Sequence, residues 1–346
     1  MVRRSRKNGR KRGSGAAAIL LALFLLLLVA AAAAGWLVYT PFGPETETFV
    51  EIAPGTSAMR IAHQLESAGI VRSRYAFDLV RSVKRGTLRA GEYRFDHPAP
   101  VTEIYARIAR GDVFTKTVVV PEGSTIFDIA ARLEQAGFGT AQEFLDVAAR
   151  QTSLVADIDP KAKTLEGYLF PDTYHFSRVS TPRQIAAAMV KRFRLAAEQI
   201  GLTQNVHGVV TLASIVERET AVDGERPLVA SVFDNRLRKN MPLMTDPSVI
   251  YGLQLQRLWR GTIYASDLKR DTPYNTYLHA GLPPGPIANP GMRSLHAAME
   301  PASTDYLYFV AAGDNPQGRS IFASTLEQHE RNVAEYRHTL KKAGGR

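Results

Sequence analysis

One long apolar stretch near the start of the chain stands apart from the mixed patterning that follows. Ala16 to Tyr39 (AAAILLALFLLLLVAAAAAGWLVY) is almost purely apolar, and the run from Gly13 to Pro44 holds no ionisable residue. As a helix, these 24 residues rise about 36 Å, which is enough to cross a bilayer. Trp36 near its end is typical of an aromatic belt at a membrane interface. The pattern predicts a membrane-spanning helix over residues 16–39.

The charge of the chain is concentrated before this helix. The formal net charge is +10, and seven cations in the tail account for most of it: Arg3, Arg4, Arg6, Lys7, Arg10, Lys11 and Arg12. The positive-inside tendency places this tail in the cytoplasm and exports everything after Tyr39. Two alternatives are a signal peptide cleaved within Ala30–Ala34 and a nucleic-acid-binding arm. The tail has no interleaved aromatic residues, and the remaining charge is small, so no nucleic-acid partner is predicted.

The next pattern is an internal repeat, in which residues 49–70 (FVEIAPGTSAMRIAHQLESAGI) align with residues 117–138 (TVVVPEGSTIFDIAARLEQAGF). Each copy predicts a short strand, a turn at Pro and Gly, a Ser or Thr helix cap and a helix that ends at glycine. Units of this kind recur in small glycan-binding modules such as LysM. A duplicated packing unit that binds nothing is the alternative, because no aromatic groove is visible.

The second half of the chain mixes helices, a loop and a strand. Helices are predicted from Pro182 to Ile200, from Val206 to Thr220 and from Arg226 to Asn240, and a last one from Thr325 to Lys342. Residues 272–291 are too rich in proline and glycine for a helix or a central strand, and a long stiff loop is typically functional. Tyr306–Ala311 (YLYFVA) predicts a buried strand. Because strands and helices do not alternate regularly, the predicted fold class is α+β.

Several kinds of chemistry are excluded by what the sequence lacks. There is no cysteine, no His-x-His pair and no helical zinc motif, so neither a thiol nucleophile nor a metal site is predicted. There is no phosphate-binding lysine loop or dinucleotide fingerprint, so no cofactor is predicted. Ser266 and Lys269 match a Ser-x-x-Lys pattern, but the partner motifs of penicillin-binding proteins are missing.

Two carboxylates at the end of an apolar helix remain as candidates for acid–base chemistry. Glu217 and Glu219 follow a run that is apolar from Val209 to Val216. Apolar walls raise the pKa of a glutamate, which suits a general acid in glycoside cleavage. The two side chains point about 200° apart on the helix, so they cannot form one catalytic pair. Periodicity does not choose between them, and a purely structural role in caps or salt bridges is an alternative for both.

Six segments together resemble one known family, the YceG-like endolytic murein transglycosylases. They are LEGYLFPDTY (165–174), LASIVERETA (212–221), VFDNRL (232–237), MPLMTDPSVIYG (241–252), YNTYLHAGLPPGPIANPG (274–291) and YLYFVA (306–311). The resemblance covers nearly the whole chain when the apolar helix and the repeat are included. One departure is Met244, which stands where the family is expected to have Gln.

The resemblance implies a peptidoglycan lytic transglycosylase with a single catalytic glutamate, carried by the motif position of Glu217. The expected reaction cleaves the bond between N-acetylmuramic acid (MurNAc) and N-acetylglucosamine (GlcNAc) and leaves a 1,6-anhydro end. Asp246, Tyr274, Asn275 and Tyr277 are candidates for orienting the sugar, and Glu166 is a candidate subsite residue. Each of these could instead fix its loop.

The predicted organisation combines these observations. The protein is expected to be a single-pass protein of the bacterial cytoplasmic membrane with its catalytic domain outside the cytoplasm. Its partners would be nascent glycan strands, the membrane and neighbouring peptidoglycan synthases. The segments are a cytoplasmic basic tail (1–15), a transmembrane helix (16–39), a stalk (40–47), a LysM-like subdomain (48–115) and a YceG-like catalytic domain (116–346) that includes the second repeat unit (116–138).

Two other functions stay open from the sequence. A hydrolase that uses Glu217 with Glu166 or Asp246 as a second carboxylate would leave a reducing sugar end instead of an anhydro ring. A glycan-binding anchor without enzymatic activity would need only the repeat units.

Overall fold

The computed structural model describes residues 14–312 and 318–343, and within these ranges the chain has mixed α+β structure. The seven cations of the basic tail lie outside the described residues. The chain divides into two compact units, the first ending at Thr115 and the second beginning at Lys116.

The first unit begins with the apolar helix α1 (Ser14–Tyr39), whose segment Ala17–Tyr39 is long and apolar enough to cross a membrane. The elements that follow are β1 (Thr48–Ile52), α2 (Ala58–Ser67), α3 (Arg74–Lys84), β2 (Gly91–Phe95) and α4 (Val101–Arg110). Strands β1 and β2 pair antiparallel, with Thr48 opposite Phe95 and Ile52 opposite Gly91. The helices pack their apolar stripes onto this hairpin, and Leu65, Phe77, Tyr93 and Ile108 form the centre of the core.

Residues 40–47, the predicted stalk, make contacts within the first unit. Phe42 and Ala99 exchange backbone hydrogen bonds of 3.2 and 3.1 Å. The guanidinium of Arg72 lies 4.1 Å from the ring centroid of Trp36 and 4.9 Å from that of Phe42. Val38 of α1 is itself buried in the core. The short polar segment therefore folds back because its backbone and its aromatic ring both find partners in the unit.

The second unit is built mainly from helices around a long buried one. Its elements are β3 (Lys116–Val119), α5 (Ile126–Gln135), α6 (Ala141–Arg150), β4 (Thr173–Phe176), α7 (Pro182–Gln199), α8 (Val206–Glu219), α9 (Arg226–Arg238), α10 (Asp246–Leu255), α11 (Met292–Met299), β5 (Tyr308–Ala311), β6 (Ser320–Ala323) and α12 (Leu326–Ala343). Strand β3 pairs antiparallel with β4, and β5 pairs antiparallel with β6. Helix α8 packs against α9, α10 and α11.

The internal repeat has the same local structure in both copies. Ser57 caps α2 and Thr125 caps α5, each by accepting a hydrogen bond from a backbone N–H in the first turn. Both helices end before a glycine with positive φ, Gly69 at 69° and Gly137 at 75°. The strand–turn–helix pattern predicted from the sequence is therefore confirmed in each copy.

The predicted loop and strand of the second unit have different outcomes. Residues 272–291 contain neither helix nor strand, as the proline and glycine content indicates. The YLYFVA segment does form a strand, but only from Tyr308, and its residues are half-buried or exposed. The prediction of a buried strand is therefore wrong, because β5 lies in a hairpin of two strands only.

Candidate active site

The two candidate glutamates lie in the last turn of α8 and contact different partners. Every residue of this helix from Val210 to Val216 is buried, so the helix is held on all sides. Glu217 and Glu219 emerge where the buried part ends. The helical angle between them directs Glu217 toward Arg226 and Glu219 toward Thr245.

Glu217 is held as one member of a buried ion pair. Its Oε1 accepts a hydrogen bond from Arg226 Nη2 at 3.1 Å, and its Oε2 accepts one from the backbone N–H of Gly291 at 2.9 Å. The side chains of Glu217 and Arg226 are 5% and 6% exposed. Arg226 also donates to Ser294 and Asp223. Both carboxylate oxygens are thus bound to donors, which fixes the position of the side chain.

A second carboxyl group, Glu122, shares the cleft beside this ion pair. The cleft has a volume of about 330 Å³ and is lined by Glu122, Gly123, Arg226 and the end of α8 from Glu217 to Ala221. Partial burial raises the pKa of Glu122, and the negative charge of Glu217 raises it further. A Cβ atom at position 291 would lie 2.8 Å from Glu122 Cγ, so only glycine leaves space here for the Glu122 side chain.

Glu219 faces a larger groove of about 580 Å³. The hydroxyl of Thr245 donates a hydrogen bond to Glu219 Oε1. Burial raises the pKa of Glu219, the Thr245 hydrogen bond opposes that shift, and the charge of Asp246 adds to it. Burial is the largest of these influences, so the pKa of Glu219 is raised overall.

Asp246 and Tyr277 lie in the same groove as Glu219. Tyr277 donates its hydroxyl to Asp246 Oδ1 at 2.6 Å, joining the start of α10 to the 272–291 loop. Burial, together with the bond to Asp246, raises the pKa of the Tyr277 phenol, so it stays a hydrogen-bond donor. Arg236 lines the same groove. The structure therefore places two of the predicted sugar-orienting residues beside Glu219.

Met244 also lines this groove, at the position where the resemblance leads us to expect Gln. Its backbone adopts a left-handed conformation with φ of 53°. The backbone N–H of Met244 donates to the carbonyl of Thr276 at 3.1 Å, which ties the segment to the loop. The side chain is 51% exposed, so the groove gains an apolar contact at this point.

The other two predicted residues of the loop face the protein. Asn275 is fully buried, and its amide donates to the carbonyls of Leu268 and Arg270 at 2.9 and 2.8 Å. Tyr274 packs its ring at 5.1 Å from that of Tyr251, and burial raises its pKa to about 12. These contacts correspond to the loop-fixing alternative considered for both residues.

Glu166 lies in the interior of the second unit. Its Oε2 accepts from the N–H of Ile126 at 2.9 Å, and its Oε1 accepts from Asn289 Nδ2 at 2.7 Å. Burial raises the pKa of Glu166 to about 8. Asn289 in turn accepts from the N–H groups of Gly167 and Leu169. Glu166 thus joins the start of α5 to the 272–291 loop and has the position of a structural residue.

The sequence reasoning did not single out Thr245, Arg236 or Tyr308 as functional residues, although all three help to form the groove or hold Glu219. Arg236 donates to the carbonyls of Leu307 and Leu243 at 2.7 and 2.9 Å, and its guanidinium lies 5.2 Å from the ring centroid of Tyr308. The adjacency of Thr245 to Asp246 within MPLMTDPSVIYG was the available signal.

Comparison with known proteins identifies a family match and relatives over most of the chain. Residues 50–335 match the model of the YceG-like family. An endolytic murein transglycosylase of Bacillus subtilis is 33% identical over 313 residues, covering 84% of this chain and 85% of the relative. One from Streptococcus pneumoniae is 31% identical over 320 residues, covering 83% of this chain and 58% of the relative.

A solved structure gives the same assignment. The crystal structure of a YceG-like protein from Listeria monocytogenes is 32% identical and superposes with a TM-score of 0.54, covering 83% of this chain and 99% of that one. Both the sequence motifs and the fold are therefore shared over most of the chain. The chain belongs to the YceG-like family.

Proposed function

We propose that this protein is an endolytic lytic transglycosylase of peptidoglycan. The relatives from Bacillus and Streptococcus carry the name endolytic murein transglycosylase. The end of α8 brings carboxyl groups to a cleft and a groove, and a carboxyl group that can act as acid and then as base is what glycoside cleavage requires. The bond cleaved would join MurNAc to GlcNAc.

The observation that carries the mechanism is that Glu217, the motif position to which the resemblance assigns the catalytic role, lines a cleft at the end of α8 beside Glu122. Arg226 and the backbone N–H of Gly291 hold its two oxygens in a fixed position at this cleft. A general acid must reach the glycosidic oxygen, and the cleft gives the substrate access to Glu217. Glu219 lines the same cleft and also the groove with Asp246 and Tyr277, so it is the alternative acid.

In this mechanism Glu217 donates a proton to the glycosidic oxygen as the C1–O bond breaks and positive charge develops on the sugar ring. The 6-hydroxyl of the same MurNAc then attacks C1, and the Glu217 carboxylate takes the hydroxyl proton. The products are a free GlcNAc hydroxyl and a 1,6-anhydro ring, and no water is consumed. The attack is fast because both groups belong to one sugar.

The experiment that tests this proposal compares Glu219→Gln with Glu217→Gln on purified peptidoglycan, using mass spectrometry of the products. We expect Glu217→Gln to abolish the release of anhydro ends and Glu219→Gln to retain most of the cleavage. The reverse result would assign the acid to Glu219. Reducing ends in place of anhydro ends would indicate a hydrolase, and unchanged cleavage in both variants would overturn the proposal.

We also propose that the N-terminus is cytoplasmic and the second unit is exported, where nascent glycan strands and their synthases lie. Support comes from the seven cations before the apolar helix and from Glu45, Glu47 and Glu51 after it. A reporter that is active only outside the cytoplasm, fused after Arg346, is expected to be active. Its inactivity would overturn this orientation.

A further inference from the structure

An exposed apolar stripe lies on α3 of the first unit. Tyr75, Leu79 and Val83 follow one another at intervals of four residues, so they share one side of the helix. They are 68%, 46% and 74% exposed. The residues that anchor α3 in its unit are others, namely Ala76, Phe77 and Val80. The stripe therefore adds nothing to the folded core, and its exposure calls for a partner.

The stripe adjoins the end of the membrane-spanning helix. Helices α1 and α3 are in contact. Between them lies a predominantly apolar groove of about 260 Å³, to which α1 contributes Ala34, Gly35, Val38 and Tyr39 and α3 contributes Leu79, Val80, Val83 and Lys84. Because Val38 is buried in the core of the first unit, this end of α1 and helix α3 form one body.

The length of α1 fixes the depth of this groove relative to a bilayer. The apolar segment Ala17–Tyr39 has 23 residues, which rise about 34 Å against a hydrocarbon thickness of about 30 Å. Tyr39 therefore lies at the interface, and Ala34 lies about 7 Å deeper along the axis. Interfacial helices bury their apolar faces about 5–10 Å into the boundary between headgroups and acyl chains. Leu79 and Val83 of the stripe line the groove with Ala34 and Tyr39, so they lie at that depth.

The charges around the stripe fit a lipid surface. Arg81, Lys84, Arg85 and Arg89 are all exposed on the C-terminal part of α3 or directly after it. The carboxylate of α3 itself is Asp78, earlier in the helix. Cations beside an apolar stripe are typical of helices that lie on membranes, because they contact lipid phosphates while the apolar side chains enter the bilayer.

We propose that α3 is an interfacial membrane helix, whose stripe of Tyr75, Leu79 and Val83 inserts into the bilayer where α1 leaves it. The first unit is then fixed on the membrane surface by two contacts, the spanning helix and the interfacial helix. The lipid acyl chains of that leaflet fill the groove between α1 and α3.

The absence of cysteine from the chain allows a direct test on the full-length protein. Val83→Cys is labelled with an environment-sensitive fluorophore and reconstituted into vesicles of phosphatidylglycerol and phosphatidylcholine. Quenching is measured with nitroxide-labelled lipid and with aqueous iodide. The matched control is His63→Cys on α2, whose side chain is 61% exposed. Both substitutions lie outside the core, so neither disturbs folding.

We expect the label at position 83 to be quenched several-fold more by nitroxide lipid, and several-fold less by iodide, than the label at position 63. Adding Leu79→Asp and Tyr75→Asp is expected to reverse this difference, because burying the new charges is unfavourable. Equal quenching at both positions would overturn the proposal. A label shielded from both quenchers would also overturn it, since protein would then cover the stripe.

Discussion

The carboxylate of Glu217 and the guanidinium of Arg226 form a hydrogen-bonded ion pair at 3.1 Å, with both side chains almost fully buried. The pair joins the end of α8 to the start of α9, and the Gly291 N–H extends it to the residue before α11. It therefore holds in place the helical turn that carries Glu219.

Removing one member of this pair is expected to destabilise the second unit. Arg226→Met leaves the Glu217 carboxylate buried without its cation, which costs about 3 kcal/mol. Chemical unfolding followed by the fluorescence of Trp259, which lies in this unit, measures the loss. The double variant Glu217→Gln with Arg226→Met is expected to lose less than the sum of the single losses. Additive losses would show that the two side chains are not coupled.

The pH dependence of cleavage is expected to distinguish Glu217 from Glu219 as the acid. If Glu219 were the acid, kcat/KM would fall as the pH rises through its pKa. Thr245→Val removes a hydrogen bond that favours the charged form of Glu219, which would move that fall to higher pH, and Asp246→Asn removes a neighbouring negative charge, which would move it to lower pH. Because Glu217 carries the proton transfer, we expect the pH profile of kcat/KM to keep its position in both variants. Shifts in these opposite directions would assign the acid to Glu219.

The stability of the second unit is expected to depend on pH through Glu166. Its pKa is raised from 4.5 to about 8 in the folded protein. Glu166 releases its proton near pH 4.5 in the unfolded chain and near pH 8 in the folded protein. Its full contribution to the free energy of unfolding is therefore present below pH 4.5. It is lost progressively as the pH rises to about 8.

Glu166→Gln is therefore expected to remove this part of the slope of unfolding free energy against pH between 4.5 and 8. The slope is the diagnostic quantity, because a buried amide facing the donors Ile126 N–H and Asn289 Nδ2 also lowers stability at every pH. The measurement is denaturant unfolding at a series of pH values. An unchanged slope would show that Glu166 is ionised in the folded protein throughout.

Gly167 is expected to tolerate no side chain. It has φ of 90°, and an added Cβ would lie 2.5 Å from Pro286 Cγ and 2.8 Å from Val210 Cγ1. Gly201 is a matched control, with φ of 70° and nothing within 4 Å of the added atom. Gly201→Ala should cost about 1 kcal/mol through backbone strain alone. Gly167→Ala should cost clearly more, as measured by thermal unfolding, and equal losses would exclude the steric contribution.

Local patterns in the sequence were sufficient for most of the secondary structure. The apolar helix, the two strand–turn–helix copies and the helices after Thr181, Asn205 and Glu225 follow from side-chain periodicity, which acts over a few neighbouring positions. Capping side chains add to this signal at Ser57, Thr125 and Thr181. The motifs also indicated the family, because residue types at fixed spacing are visible without coordinates.

Contacts between distant segments were decided only by the tertiary structure. The helical pattern shows that Glu217 and Glu219 point apart, but Arg226, Gly291 and Thr245, which distinguish their environments, come from other parts of the chain. For the same reason, periodicity could not reveal that Phe42 pairs with Ala99. The sequence determined which carboxyl groups were available. Burial and hydrogen-bond partners, which depend on the packing of remote elements, determined that Glu217 is paired with Arg226 and that Glu219 lies beside Asp246 and Tyr277.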